Sequence, residues 1–129
     1  RMQDVPFKMP EPFPFMSTHH ARAFYWIADQ DEKKAKQFAR SLFKKIFGKG
    51  KPLYKPAQVV EVAEAKGIDG KALAEALTTD AVKARLRKEV EEALAKGVCG
   101  SPYFIVDGEP FWGNDRLDHI ERWLSTGGW

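Results

Sequence analysis

Residues Cys99–Arg116 read CGSPYFIVDGEPFWGNDR. The β-rich run YFIV leads into Asp107-Gly108, a strong two-residue hairpin signal, and EPFW follows as a second strand. Asn114 or Asp115 stands where it can cap a final helix whose apolar face is Leu117, Ile120, Trp123 and Leu124. A fold at Asp107-Gly108 carries Trp112–Arg116 back toward the end at which Ser101-Pro102 begins. The two ends of the stretch therefore converge, and the sequence predicts a single ligand between them.

Each end offers different chemistry. The trans preference of an X–Pro bond is only about 0.5–1 kcal/mol, so both a cis Ser101-Pro102 bond and an ordinary trans turn into an edge strand are open. A cis bond turns the chain sharply and frees the Ser101 backbone to pair with a peptide-like ligand as a short added strand. At the other end, the first turn of a helix presents unpaired N–H groups and a partial positive charge, which attract a carboxylate. Asp115 supplies the opposite sign. Both signs in one place suit the ammonium and carboxylate of an amino-acid end group. On the plainer reading, Asn114 caps the helix and Asp115 merely complements its dipole. A ligand that pairs at Ser101 and anchors a zwitterionic head at Asn114–Asp115 needs an amide backbone, and glutathione has that form.

Composition bounds the rest. The chain has 129 residues, 43% hydrophobic and 30% charged, which fits a soluble globular domain with its own core. No apolar run approaches the roughly 18 residues that a membrane span needs, and no signal peptide is visible, so no membrane partner is expected. The net charge is +3, but the basic residues interleave with Glu and Asp along helices. That is a solvated face, and no nucleic-acid partner is expected. Cys99 is the only cysteine and has no partner for a disulfide within the chain. A cytoplasmic home follows.

Upstream of the hairpin the grammar is helical. Residues 1–16 carry prolines at 6, 10, 12 and 14 and read as an extended connector, with a short strand near Val5–Lys8. Phe7, Phe13 and Phe15 suggest that it lies on a core. Ser17 or Thr18 caps a first helix. Asp29 or Asp31 caps a second, whose Ala35, Phe38, Ala39, Leu42, Phe43 and Ile46 follow the 3.6-residue period up to Gly48. Pro56 opens a third, with Val59, Val60, Val62 and Ala63 inward and Gly67 at its end. Asp69 caps a short helix, and Asp80 a longer one with Val82, Leu86, Val90, Ala93 and Leu94 on one face. The division expected is a connector over 1–16, helices over 17–96, and the hairpin unit over 97–129. A lone two-stranded hairpin is marginal in water, so residues outside this sequence, or another chain, are expected to complete the sheet.

Residues 81–124 resemble the C-terminal part of the 2-hydroxychromene-2-carboxylate isomerases, which belong with kappa-class glutathione transferases and DsbA-like proteins of the thioredoxin superfamily. The family pattern G-V-x-G-x-P-x-F-x-V-x-G-x-x-x-W-G-x-D-R is matched at Gly97, Val98, Gly100, Pro102, Phe104, Val106, Gly108, Trp112, Gly113, Asp115 and Arg116. KPAQVVEVAEAKGIDGKAL at 55–73 and VPFKMPEPFPF at 5–15 are similar to the same family's inserted helices and to the connector leading into them. The resemblance implies an α/β thioredoxin-like fold with an inserted all-helical domain. It implies Pro102 as a structural cis-proline. Ser101 would meet the cysteinyl backbone of glutathione, and Trp112, Gly113, Asn114, Asp115 and Arg116 would surround its γ-glutamyl end. The implied activity is a glutathione-dependent isomerase acting on a small aromatic carboxylate, with glutathione as cofactor and a homodimer as the assembly. A kappa-type transferase or peroxidase, or a non-catalytic glutathione- or peptide-binding module, are the alternatives. The family's thiol-binding serine lies at an upstream strand-to-helix turn. Nothing in residues 1–16 matches it, so no catalytic residue is expected in this chain, and activity is expected to need an N-terminal half. No C-x-x-C is present, and Cys99 falls at a variable position, which argues against a dithiol oxidoreductase.

Three other signals are weaker. Adjacent histidines on a helix point about 100° apart, so His19-His20 makes a poor metal pair, and no metal site is expected. Phe24, Tyr25, Trp26 and Phe38 read as core packing, with an apolar wall for an aromatic substrate as the alternative. KKIFGKGKPLYK at 44–55 is a local basic cluster, with Lys44, Lys45, Lys49 and Lys51 as charges that could meet a carboxylate.

Overall fold

The computed structural model describes residues 5–129. Six α-helices and one hairpin follow in order: α1 (Thr18–Ala28), α2 (Glu32–Phe43), α3 (Pro56–Glu64), α4 (Gly70–Ala76), α5 (Asp80–Ala95), β1 (Tyr103–Val106), β2 (Glu109–Trp112) and α6 (Leu117–Thr126). The chain divides into two compact units, one ending at Lys88 and the other running from Glu89 to Trp129, so the division falls inside α5.

The first unit is a helical cluster in which α1 packs on α2, α3 and α4, and α2 packs on α3. Its core is built from Ile27, Phe38, Leu42, Val59, Val62 and Leu73, all buried. Full burial of such a side chain is worth roughly 1.5–3 kcal/mol. Asp31 caps α2 by accepting from the Lys34 N–H at 2.9 Å, and Asp69 caps α4 by accepting from Ala72 at 3.0 Å.

Several local expectations are corrected. Ser17 occupies the cap position of α1, but its side chain makes no capping bond. Asp29 does not start α2. It lies at the end of α1, where its carboxylate accepts from the Arg85 Nε–H at 3.0 Å. Asp80 lies within α5, and Thr79 accepts from the Val82 N–H instead, at 3.4 Å. Along α5 only Val82 is buried, whereas Val90 and Leu94 are exposed. No strand forms at Val5–Lys8. The Lys8 N–H donates instead to the Phe47 carbonyl at 2.6 Å, tying the connector to the helical unit. The first four residues of the expected connector lie outside the described residues. Before Gly48, α2 passes into a π-helical turn, Lys44–Gly48. Phe38 is fully buried, and Phe24 and Trp26 pack against the core around it.

His20 is buried, and its ring lies 5.9 Å from that of Phe15. Neither ring nitrogen finds a hydrogen bond of good geometry. Burial therefore pulls its pKa below the ordinary 6.5, although the backbone at Leu53 and Ser17 favours the charged form and offsets part of that.

The second unit is the hairpin with α6 against one face. Strand pairing sets Tyr103 opposite Trp112, Phe104 opposite Phe111, Ile105 opposite Pro110, and Val106 opposite Glu109. Asp107 and Gly108 both have positive φ, 52° and 86°, as a tight two-residue hairpin turn requires. Side-chain alternation puts Phe104 and Phe111 on one face. Phe111 is buried and meets the Trp123 ring edge-on at 5.9 Å, with Trp129 at 6.1 Å. The Trp123 Nε1–H donates to Asp107 at 3.3 Å, which fixes the later turns of α6 beside the hairpin turn. The start of α6 is thereby left at the opposite end. Ile105, Pro110 and Trp112 of the other face are exposed.

Phe38→Ala is expected to cost about 3–5 kcal/mol in urea unfolding followed by circular dichroism. Met16→Ala, at an exposed position, is expected to stay within roughly 0.5 kcal/mol of the parent. His20 binds its proton more weakly folded than unfolded. The unfolded chain therefore holds more protons between the lowered folded pKa and 6.5, and stability falls as pH drops through that window. Urea midpoints measured across this range should decline toward acid in the parent and decline less in His20→Phe.

Candidate functional site

The convergence of the two ends rests on one hydrogen bond. The Gly113 N–H donates to the Pro102 carbonyl at 3.0 Å, directly beyond the Tyr103–Trp112 pair. The Ser101–Pro102 peptide bond is cis. In an antiparallel ladder, hydrogen-bonded and non-hydrogen-bonded pairs alternate. Since Pro102 and Gly113 form a hydrogen-bonded pair, the peptide groups of Tyr103 and Ile105 point away from β2 to the open edge of β1. Ser101, exposed, is the next residue back along that edge.

Two glycines shape the end of the hairpin. Gly113 has φ 109° and ψ 151°, a region almost reserved for glycine, and a Cβ there would strike the Asp115 carboxylate. Only glycine lets the chain swing from β2 into the final helix with that carboxylate folded over it. Gly100 lies under the Trp112 indole, where a Cβ would collide with the ring nitrogen. Trp112 is 59% exposed, so its indole is a flat wall open to solvent on one side. Gly100 stands in the sequence only as one matched position of the family pattern, and a glycine two residues before a proline carries no signal of the aromatic ring that lies across it.

The start of the final helix differs from expectation. Asn114–Arg116 form a 3-10 turn, closed by the Arg116 N–H donating to the Gly113 carbonyl at 3.2 Å, and α6 begins only at Leu117. Neither Asn114 nor Asp115 caps it, because the positive φ at Gly113 already sets the chain direction and the turn reaches the helix through its backbone. Both side chains are exposed. Asp115 sits 3.7 Å from the Arg116 guanidinium, a loose pair with both partners open to water. At this end of the unit the structure therefore gathers Ser101, Pro102, Trp112 and Gly113, followed at once by the Asp115 carboxylate, the Arg116 guanidinium and the first turn of α6. The arrangement offers an acceptor for an ammonium, a donor for a carboxylate and a free strand edge for an extended backbone.

Comparisons with known proteins establish the family and the fold. The family model of the DSBA-like thioredoxin domain matches residues 1–125. The chain belongs to that family. A 2-hydroxychromene-2-carboxylate isomerase of Sphingobium xenophagum is 34% identical over 121 residues, covering 94% of this chain and 60% of the relative. Glutathione s-transferase kappa 2 of Caenorhabditis elegans is 27% identical over 135 residues, covering 94% of this chain and 59% of that protein. A solved structure of 2-hydroxychromene-2-carboxylate isomerase superposes with a TM-score of 0.82 at 25% identity, over 94% of this chain and 58% of the other. The chain thus spans about three-fifths of the relatives it matches, and its fold is the DsbA-like thioredoxin fold with its helical insertion. Among the described residues, no helix is long and apolar enough to cross a membrane.

Gly113→Ala should lower stability by roughly 1–3 kcal/mol, the range for a residue forced into such backbone. Thermal unfolding of the variant beside the parent measures it, and an unchanged midpoint would show that the turn does not need glycine.

Proposed function

We propose that this protein is the helical and cis-proline part of a glutathione-dependent isomerase acting on a small aromatic carboxylate. The observation that carries the reading is the Gly113–Pro102 hydrogen bond, which joins a peptide-pairing edge to a head-group cluster. Glutathione is an extended amide with a zwitterionic end, and the residues present suit it. The Ser101 backbone pairs with its cysteinyl segment, and the Trp112 indole walls that segment. The space at Gly113, beside Asn114, takes the γ-glutamyl end. Asp115 accepts from its ammonium, and Arg116 and the first turn of α6 donate to its carboxylate. Bound glutathione would supply a nucleophilic thiol able to add to and leave a conjugated double bond, which is the chemistry that cis–trans isomerisation of such a bond needs. Residues 17–96 serve as the helical insertion and 97–129 as the C-terminal thioredoxin-like half. The protein works as a cytoplasmic homodimer.

The 27% identity to a kappa-class transferase favours one other reading, in which glutathione is consumed. Product analysis separates the two: an isomer of unchanged mass for the first, a conjugate or oxidised glutathione for the second.

Calorimetric titration with glutathione tests the site. Asp115→Ala should weaken binding about tenfold, roughly 1.4 kcal/mol. Equal affinity in parent and variant would remove the head-group assignment.

A further inference from the structure

The basic cluster at 44–55 is not absorbed by the site above. In the structure it forms one wall of a groove of about 390 Å³ within the helical unit, lined by Lys45, Lys51, Leu53, Tyr54, Lys55 and Glu61, with Pro52 and Gln58 completing it. The backbone brings these groups together, with Lys51, Tyr54, Lys55 and Glu61 exposed at the rim. The π-helical turn Lys44–Gly48 sets Lys45, half-buried, at the groove. The Lys51 N–H donates back to the Lys45 carbonyl at 3.1 Å, closing the loop so that both side chains serve one concavity. The Lys55 N–H donates to the Gln58 side-chain oxygen at 3.0 Å, leaving the Gln58 amide N–H groups free to donate. Helix α3 opens at Pro56 with no acidic residue in its first turn.

None of the three lysines forms an ion pair among the described residues, and Glu61 is the one carboxylate in the lining. Three ammonium groups against one carboxylate give the lining a net charge of two positive units. The apolar part of the lining is Pro52, the buried Leu53 and the exposed ring of Tyr54. The groove contains no arginine, so it lacks a planar fork and acts through point charges. A volume near 390 Å³ falls within the range of small-ligand sites.

We propose that this groove binds a small organic dianion, with two negative charges on a flat apolar skeleton, either a dicarboxylate or a phosphate monoester. Lys45, Lys51 and Lys55 meet the charge, and Pro52 and the Tyr54 ring take the carbon skeleton. The site stands apart from the glutathione reading, because every residue in it belongs to the helical unit and binding is measured without glutathione.

The test is titration of ¹⁵N-labelled protein with phthalate and with phenyl phosphate, using neutral benzamide as control and following the amides of residues 45–61. At least one dianion should give saturable shifts confined to this segment, and benzamide none. The double variant Lys45→Gln, Lys51→Gln should bind at least tenfold more weakly. Lys33→Gln, Lys71→Gln, the same charge change outside the groove, should bind as the parent does. Response to phthalate alone assigns a dicarboxylate, response to phenyl phosphate alone assigns a phosphate monoester, and either supports the site. The proposal is overturned if neither dianion gives saturable shifts, or if the control double variant loses affinity as much as the groove variant.

Discussion

One backbone hydrogen bond, from the Gly113 N–H to the Pro102 carbonyl, holds the hairpin unit to its purpose. It extends the ladder one pair beyond the strands, so that the turn before β1 and the turn after β2 lie side by side. A single-residue slip in register would send every side chain of one strand to the other face. Phe111 would leave the Trp123 and Trp129 rings, and the peptide groups facing the open edge would exchange with those facing β2. The aromatic packing under the sheet and the placing of the candidate site at its end are therefore fixed by the same register. The Trp123–Asp107 bond secures the opposite end, which keeps the start of α6 beside Gly113.

Much of this was legible in the sequence, for identifiable physical reasons. Asp107-Gly108 between two β-rich runs admits little besides a tight hairpin. Asp31 and Asp69 cap where the sequence places them, and Phe38 and Val59 are buried because their spacing puts them on inward faces. The failures have causes as specific. Asn114 and Asp115 carry the composition of a cap, yet Gly113 takes over chain reversal and a 3-10 turn intervenes. Asp29 is a good cap residue and is instead engaged by Arg85, 56 positions away, a partner that no local pattern contains. Leu94 and Val90 share a helical face that periodicity reads as buried, but α5 leaves them exposed. The role of Gly100 depends on where a tryptophan twelve residues later comes to rest.

The candidate site divides in the same way. Its residue types and their convergence follow from the hairpin signal, which the observed Tyr103–Trp112 register reproduces. What the sequence could not give is how exposed the cluster is. Trp112, Asn114, Asp115 and Arg116 all face solvent in this chain, so their charges act through water, and each contact contributes modestly. In the proposed reading, affinity would come from several weak contacts along one extended ligand.

The most direct test of the account is the pattern of amide chemical-shift changes when the labelled protein is titrated with glutathione. The account predicts saturable changes gathered at Ser101–Tyr103 and Trp112–Leu117, on both sides of the Gly113–Pro102 hydrogen bond. Changes at only one of these segments, or concentrated in the helical unit, would contradict it.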